Sequence, residues 1–194
     1  MMKSKVGLIG RGNVGSSIQS GLDKAGYETR SVGREPKDVA ETANWADILI
    51  LAVPFNGIDS ALKEMGNEVN GKVLVDASNI VGPDAQKLIP AFSSGAKEIQ
   101  KKAPGARVVK AFNTVFAEQM SSGHTKGQQV SLFVAGDDKE ARAKVLQIGR
   151  DIGFDAIDAG PLDNARYLEA MANMIIQLGF ALGVGRDAAF KLIH

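Results

Sequence analysis

Cysteine is absent from this chain of 194 residues. That excludes disulfide bonds, thiolate metal sites and cysteine nucleophiles, and it fits a reducing compartment. Histidine is almost as scarce, at two residues. Charge imbalance is missing as well: the formal net charge is +1, which leaves no electrostatic footprint for nucleic acid or an anionic membrane. No apolar run reaches the length needed to cross a bilayer. The opening MMKSKVGLIGRG has a basic tip, but its apolar run is short and broken by Gly and Arg, unlike a signal peptide. A cytoplasmic protein is expected. The length suits one domain over residues 1–194, with residues 162–194 as a C-terminal helix and tail.

What is present is an alternation of short apolar runs with helical patterns. Val6 to Ile9, Tyr27 to Gly33, Ile48 to Val53, Lys72 to Ala77, Arg107 to Phe112, Val130 to Ala135 and Phe154 to Ile157 read as strands. ILILAV at Ile48 to Val53 is apolar throughout, as expected of a parallel strand covered on both faces. Between the strands, apolar residues recur at helical spacing: Val14, Ile18, Leu22 and Ala25, then Ile58, Leu62 and Met65, then Ala141, Val145, Ile148 and Ile152. Ser94 to Lys102 also reads as a helix, and the last long helix spans about 162–178. This alternation predicts an α/β fold with a doubly wound, mostly parallel sheet of the Rossmann type. No linker and no internal repeat is evident.

The first strand runs into GLIGRGNVGSS, which holds Gly10, Gly12 and Gly15 as G-x-G-x-x-G. Such a triplet is weak alone. After a strand and before a helix it is the setting in which a dinucleotide pyrophosphate is bound. Gly10 permits the tight turn, Gly12 lets the pyrophosphate approach the backbone, and Gly15 lets the helix pack closely. The helix N–H groups and dipole favour the phosphates. An NAD site places Asp or Glu at the end of the second strand, about 20 residues on, for the ribose 2′-hydroxyl. Here the chain reads SVGREPK, with Gly33, Arg34 and, nearby, Lys37. A guanidinium suits a 2′-phosphate through charge-assisted bonds, so NADP(H) is expected, with Glu35 as an opposing charge.

Beyond the loop, the blocks GLIGRGNVG, VGREPK, ILAVPF, VVKAFNT, VAGDD and AGPLDNARYLE resemble those of the F420-dependent NADP oxidoreductases. The cytosolic domain of the six-transmembrane metalloreductases shares their fold. The resemblance covers nearly the whole chain, and the last three blocks are the more specific. It implies NADP(H) across the strand ends, with a deazaflavin (F420) or a flavin (FMN or FAD) stacked near the nicotinamide as hydride acceptor. It places Gly10, Arg11, Gly12, Asn13, Val14 and Gly15 at the pyrophosphate loop. Gly33, Arg34 and Lys37 are placed at the 2′-phosphate, and Ala52, Val53 and Pro54 on the ribose–nicotinamide side. Ser78 and Asn79 fall on the same edge, and Asn113, Thr114 and Ala188 toward the acceptor. It also implies a homodimer. The chain departs from the family at Arg11 and Gly33, where small hydroxyl residues are common, and at Gly57, where some members have histidine.

Related dehydrogenases add a large helical domain for the substrate. Only a short segment remains after Gly160 here, and no general acid stands out. Hydride transfer between two ring cofactors leans on positioning, so no catalytic residue is assigned. His124 reads as a solvated loop residue and His194 as a frayed terminus. One of Asp137 and Asp138 caps the following helix rather than forming a metal pair. Asp76 either touches ligand or orients a turn. Trp45 and Tyr167 read as packing residues. The last helix is apolar on several faces, which means core packing or a dimer interface. Three functions remain open: an NADP(H)-dependent F420 or flavin oxidoreductase, a flavin-dependent ferric reductase-like activity, and a non-catalytic NADP(H)-binding redox sensor.

Overall fold

The computed structural model describes residues 3–80 and 93–193. Its strands are β1 (Lys5–Ile9), β2 (Glu28–Val32), β3 (Ile48–Leu51), β4 (Val73–Asp76), β5 (Arg107–Lys110), a hairpin of β6 (His124–Thr125) and β7 (Gln128–Gln129), β8 (Ser131–Gly136) and β9 (Asp155–Asp158). Seven of them form one sheet in the order β2-β1-β3-β4-β5-β8-β9. The first five are mutually parallel, β8 runs antiparallel to β5, and β9 is parallel to β8. The chain leaves β1 for β2 on one side and returns to β3 on the other. That makes the carboxyl ends of β1 and β3 the switch point where open α/β sheets hold ligands.

Strand alternation builds the two layers around the sheet. Val6, Leu8, Ile48, Ile50, Val73 and Val75 face one way, against Ile18 and Leu22 of α1 (Asn13–Lys24) and Val145 and Ile148 of α5 (Lys139–Ile152). Ile9, Leu49, Leu51 and Leu74 face the other way. They meet Val39 of α2 (Pro36–Trp45), Ile58 of α3 (Ile58–Met65) and Ile99 of α4 (Gly95–Lys102). A strand such as ILIL must therefore be apolar at every position. Each fully buried Leu or Ile contributes about 1.5–3 kcal/mol. Helix starts follow local chemistry. The Ser94 side chain accepts from Lys97 N at 3.2 Å, and Asp138 Oδ1 accepts from Ala141 N at 2.7 Å.

Most strand boundaries shift by one or two residues from expectation, β3 ending at Leu51 rather than Val53, and two differences have a visible cause. β5 ends at Lys110 rather than Phe112, because Phe112 takes φ 67°, a left-handed conformation that breaks the ladder. Its ring stays in the core, edge-on to Phe154 at 6.1 Å, so packing outweighs a strain of about 1–3 kcal/mol. The helix expected over 162–178 is instead a 3-10 turn at Leu162–Asn164, then α6 (Ala165–Ile176), then a π-type turn at Gln177–Ala181. Within that turn Gly179 lies flat against Phe116; a Cβ there would come within 2.9 Å of the ring's Cε2. Among the described residues no helix is long and apolar enough to cross a membrane.

Candidate functional site

The glycine loop closes β1 onto β3. Gly10 has φ +120°, and its N–H donates to Val32 O at 2.9 Å. A Cβ on Gly10 would collide with the carbonyl of Ala52, and one on Gly15 with the carbonyl of Gly10. Gly15 thus serves the loop's closure on itself as much as helix–strand packing. Gly12 is different: a Cβ there would meet no protein atom within 4 Å, so the space it leaves faces outward. Gly12 is also the N-cap of α1, which has no side-chain cap and no acidic residue in its first turn. The first N–H groups of α1 and its dipole are therefore open to an anion. Ser16 Oγ donates to Arg11 O at 3.1 Å and holds the loop against the helix.

Beside this loop, at the ends of β1, β2 and β3, lies a cavity of about 300 Å³ lined by Gly33, Arg34, Val53, Pro54 and Ser60 among others. Arg11 lies next to it without being among its lining residues. Its guanidinium lies across Gly33, where an added Cβ would sit 3.2 Å from Nη2 and 3.5 Å from Nε. The side chain therefore heads to the β2 end rather than staying over the helix start. Lys37 lies on α2 outside the cavity lining, exposed, with Glu41 at 3.8 Å.

On the other side of the α1 start is a second cavity, of about 240 Å³. Asn13, Val14, Asn79 and Asn113 line it together with Phe116, Ile175, Phe180 and Arg186. Asn79 Nδ2 donates to Asn113 O at 2.9 Å. Asn113 Nδ2 donates to Asn79 Oδ1 at 3.2 Å and to Leu168 O at 3.0 Å. Among the described residues, Asn113 Oδ1 and Thr114 Oγ1 are buried without a hydrogen-bond partner. Thr114 and Ser78 are both buried and outside the lining. Ala188 is half-buried and also outside it, its N–H donating to Gly185 O at 3.2 Å; from this segment it is Arg186 that reaches the cavity. Arg186 pairs with Glu118 and lies 5.8 Å from the Phe180 ring.

Below this cavity sits a charge cluster that sequence reasoning missed. Lys110 is wholly buried, and its Nζ donates to Asp76 Oδ2 at 2.7 Å and to Ser78 O at 2.7 Å, with Glu169 Oε1 at 3.2 Å. Asp76 Oδ1 accepts from Ser78 N at 2.9 Å and Ser78 Oγ at 2.6 Å. Glu169 Oε2 accepts from Gly95 N at 3.1 Å. Of the two roles open to Asp76, the contacts are those of a turn-orienting residue. Burial alone would push the Lys110 pKa down; the Asp76 and Glu169 carboxylates outweigh it and hold the ammonium above the usual lysine range. Lys110 stays charged and does not trade protons near neutrality.

Comparison with known proteins follows this geometry. The chain is 30% identical over 163 residues to the F420-dependent NADP reductase of Methanothermobacter marburgensis, covering 80% of this chain and 72% of that protein. The chain belongs to the F420-dependent NADP reductase family. The family model for NADP oxidoreductase, coenzyme F420-dependent, matches residues 29–80 of this reductase-family chain. A crystal structure of a protein from Arthrobacter sp. FB24 superposes with a TM-score of 0.87 at 27% identity. That match covers 98% of this chain and all of the other. Metalloreductase STEAP3 of Rattus norvegicus is 29% identical over 86% of this chain, which spans only 36% of that longer protein.

The remaining candidates of this reductase-family chain lie away from the two cavities. β8 runs antiparallel, so the Asp137–Asp138 turn falls on the opposite edge of the sheet from Gly10. Asp138 caps α5, and Asp137 Oδ1 accepts from Leu162 N at 2.8 Å. Among the described residues no cluster of three potential metal ligands occurs. His124 is exposed, with Nδ1 2.9 Å from Ser122 O; His194 lies outside the described residues. One packing expectation needs correction. Tyr167 is 55% exposed, with the Arg166 guanidinium over its ring at 4.7 Å. Trp45 is half-buried and packs against the core on the α2 side, with Lys5 and Arg30 over its ring at 5.6 and 4.6 Å. Both rings carry a basic side chain on one face.

Proposed function

We propose that this protein is an NADP(H)-dependent oxidoreductase that passes hydride between NADPH and a deazaflavin (F420) or a flavin. The observation that carries the reading is the arrangement around the α1 start. An uncapped helix N-terminus lies between a cavity lined by Gly33 and Arg34 and a second cavity lined by Phe116, Ile175 and Phe180.

The residues fit such a cofactor. Gly12 leaves open space, and the N–H groups beside it suit a pyrophosphate. Arg34 at the β2 end suits a 2′-phosphate, where an NAD site would carry a carboxylate. When bound, the nicotinamide supplies the hydride. The chain's own residues hold and orient the partners. Asn79 and Asn113 offer amide groups at the inner wall of the second cavity, while Phe116 and Phe180, 5.7 Å apart, give an aromatic wall for a flat ring. No side chain need donate a proton, so Lys110 acts as a fixed charge. The reading takes the chain as one dinucleotide-binding unit working in the cytoplasm.

The same reading includes a homodimer. Met174, Phe180, Leu182 and Val184 are each more than half exposed on the C-terminal segment, next to the second cavity. A second copy would cover them and close the acceptor side. An active monomer in analytical ultracentrifugation would overturn this part.

The functional test follows oxidation of NADPH, or NADH, against F420, FMN, FAD and riboflavin. The expected result is turnover with NADPH and F420. Turnover only with flavins would favour the ferric reductase-like reading, which the similarity to STEAP3 supports. Tight NADPH binding without turnover on any acceptor would leave a redox sensor.

A further inference from the structure

We infer that Arg11 belongs to the 2′-phosphate site, forming a two-arginine clamp with Arg34, and that Gly33 is glycine because it must make room for the Arg11 guanidinium. The inference rests on the NADP(H) reading and names the residue that sets its selectivity.

Register explains how the two ends meet. Ile9 stands opposite Val32 across the β1–β2 ladder, and Gly10 N donates to Val32 O. That register sets Gly10 beside Gly33, and Arg11, one residue further along, folds its side chain back over Gly33. Gly33 is not among the glycines with positive φ, so its backbone does not require glycine. Its missing Cβ is used instead by Arg11, whose Nη2, Nε and Cζ would lie 3.2, 3.5 and 3.7 Å from that atom. The fork of the guanidinium is thus spread over the backbone that leads directly into Arg34, next to the cavity that Gly33 and Arg34 line, although Arg11 itself is not among the lining residues. Among the described residues neither Arg11 nor Arg34 has an ion-pair partner, although Glu35 is the next residue in sequence.

Two arginines at the end of one strand pair, without an ion-pair partner among the described residues, offer a binding place for a dianion, and the planar fork recognises phosphate oxygens in pairs. Small hydroxyl residues at both positions would hydrogen-bond a phosphate without adding charge. Arginine paired with glycine occupies the same space with one long cationic side chain. An Arg11 that served the pyrophosphate instead would aid NADPH and NADH alike; an Arg11 on the 2′-phosphate discriminates between them.

The test is equilibrium binding, by intrinsic fluorescence or calorimetry, of NADPH, NADH, 2′-AMP and 5′-AMP to the wild-type protein and to Arg11→Ala, Arg11→Lys, Arg34→Ala and Gly33→Val. Thermal melts confirm that each variant is folded. Losing a hydrogen-bonded charged contact is expected to weaken NADPH and 2′-AMP about 10- to 100-fold in Arg11→Ala, and to leave NADH and 5′-AMP within about twofold. Arg11→Lys should recover part of the loss, because it keeps the charge but not the fork. Gly33→Val should mimic Arg11→Ala by displacing the guanidinium while Arg11 itself is intact. Equal weakening of NADPH and NADH in Arg11→Ala would overturn the inference and return Arg11 to the pyrophosphate. So would unchanged binding of all four ligands. A wild-type protein that binds neither NADPH nor NADH would instead overturn the NADP(H) reading and the inference with it.

Discussion

The two ends of the ligand edge handle charge in opposite ways. At the β1–β2 end, Arg11 and Arg34 are exposed, of like sign and without an ion-pair partner among the described residues. At the β4–β5 end, Lys110, Asp76 and Glu169 are buried and joined to one another within 3.2 Å. Repulsion between exposed cations is screened by water and costs the fold little, so such a pair can be kept for a ligand. Charges out of water are tolerated only when matched and hydrogen-bonded. The buried cluster is therefore committed to the fold. Lys110 ties β5 to β4 and α6, Glu169 ties α6 to the start of α4, and Ser78 leads into the Asn79–Asn113 pair on the cavity wall. One end is an open site, and the other is the support that shapes a site.

Removing charge should therefore act on stability at one end and on binding at the other. The largest effect is expected from Lys110→Met. It strands the Asp76 and Glu169 carboxylates in the interior, and a loss of about 3–5 kcal/mol in denaturant unfolding follows. A loss below about 1 kcal/mol would mean that water or protonation relieves the pair and that the cluster is not one unit. Arg34→Ala is expected to leave the melting temperature unchanged and to cost about 1.5–3 kcal/mol in NADPH binding. If Arg34→Ala destabilised the fold as Lys110→Met does, the contrast between the two ends would fail.

How much of this could be read from sequence depends on how local each feature is. ILIL announces its burial on both faces because every residue in it is apolar, and the sheet layers followed. The glycine loop was legible for the same reason: strand, glycines and helix are contiguous. Lys110 carried a signal, a single charge inside VVKAF, but its partners come from another strand and from α6, and only the fold brings them together. The path of Arg11 was hidden more deeply, because it depends on the β1–β2 register and on the absence of a Cβ on Gly33. Phe180 and Arg186 reach the second cavity through and after the π-type turn that follows α6, and an apolar helix pattern does not predict such a turn. The early end of β5 followed from one residue, Phe112, taking a conformation that its type disfavours.

A half-exposed cluster lies between the two extremes and gives the smallest and most pH-sensitive effect. Asp151 Oδ2 accepts from Lys3 Nζ at 2.9 Å and from Tyr27 Oη at 2.8 Å. Burial would raise the Asp151 pKa, but the bonds from Lys3, Tyr27 and Gln147 outweigh it and hold the carboxyl below its usual range. Burial, and then the bond to Asp151, pushes the Tyr27 hydroxyl up. A depressed carboxylate pKa gives stability that is present above the unfolded value, about 3.9, and lost as pH falls through the folded value. A raised tyrosine pKa gives stability that is lost only as pH rises past about 10. Tyr27→Phe should therefore cost about 0.5–1.5 kcal/mol at pH 7, the worth of one hydrogen bond. The difference from wild type, followed by urea unfolding at a series of pH values, should shrink as Asp151 becomes protonated. A difference that persisted unchanged after protonation would assign the effect to the hydroxyl itself rather than to the charged bond, because phenylalanine keeps the ring and its contact with Lys3 Nζ, 4.5 Å above it.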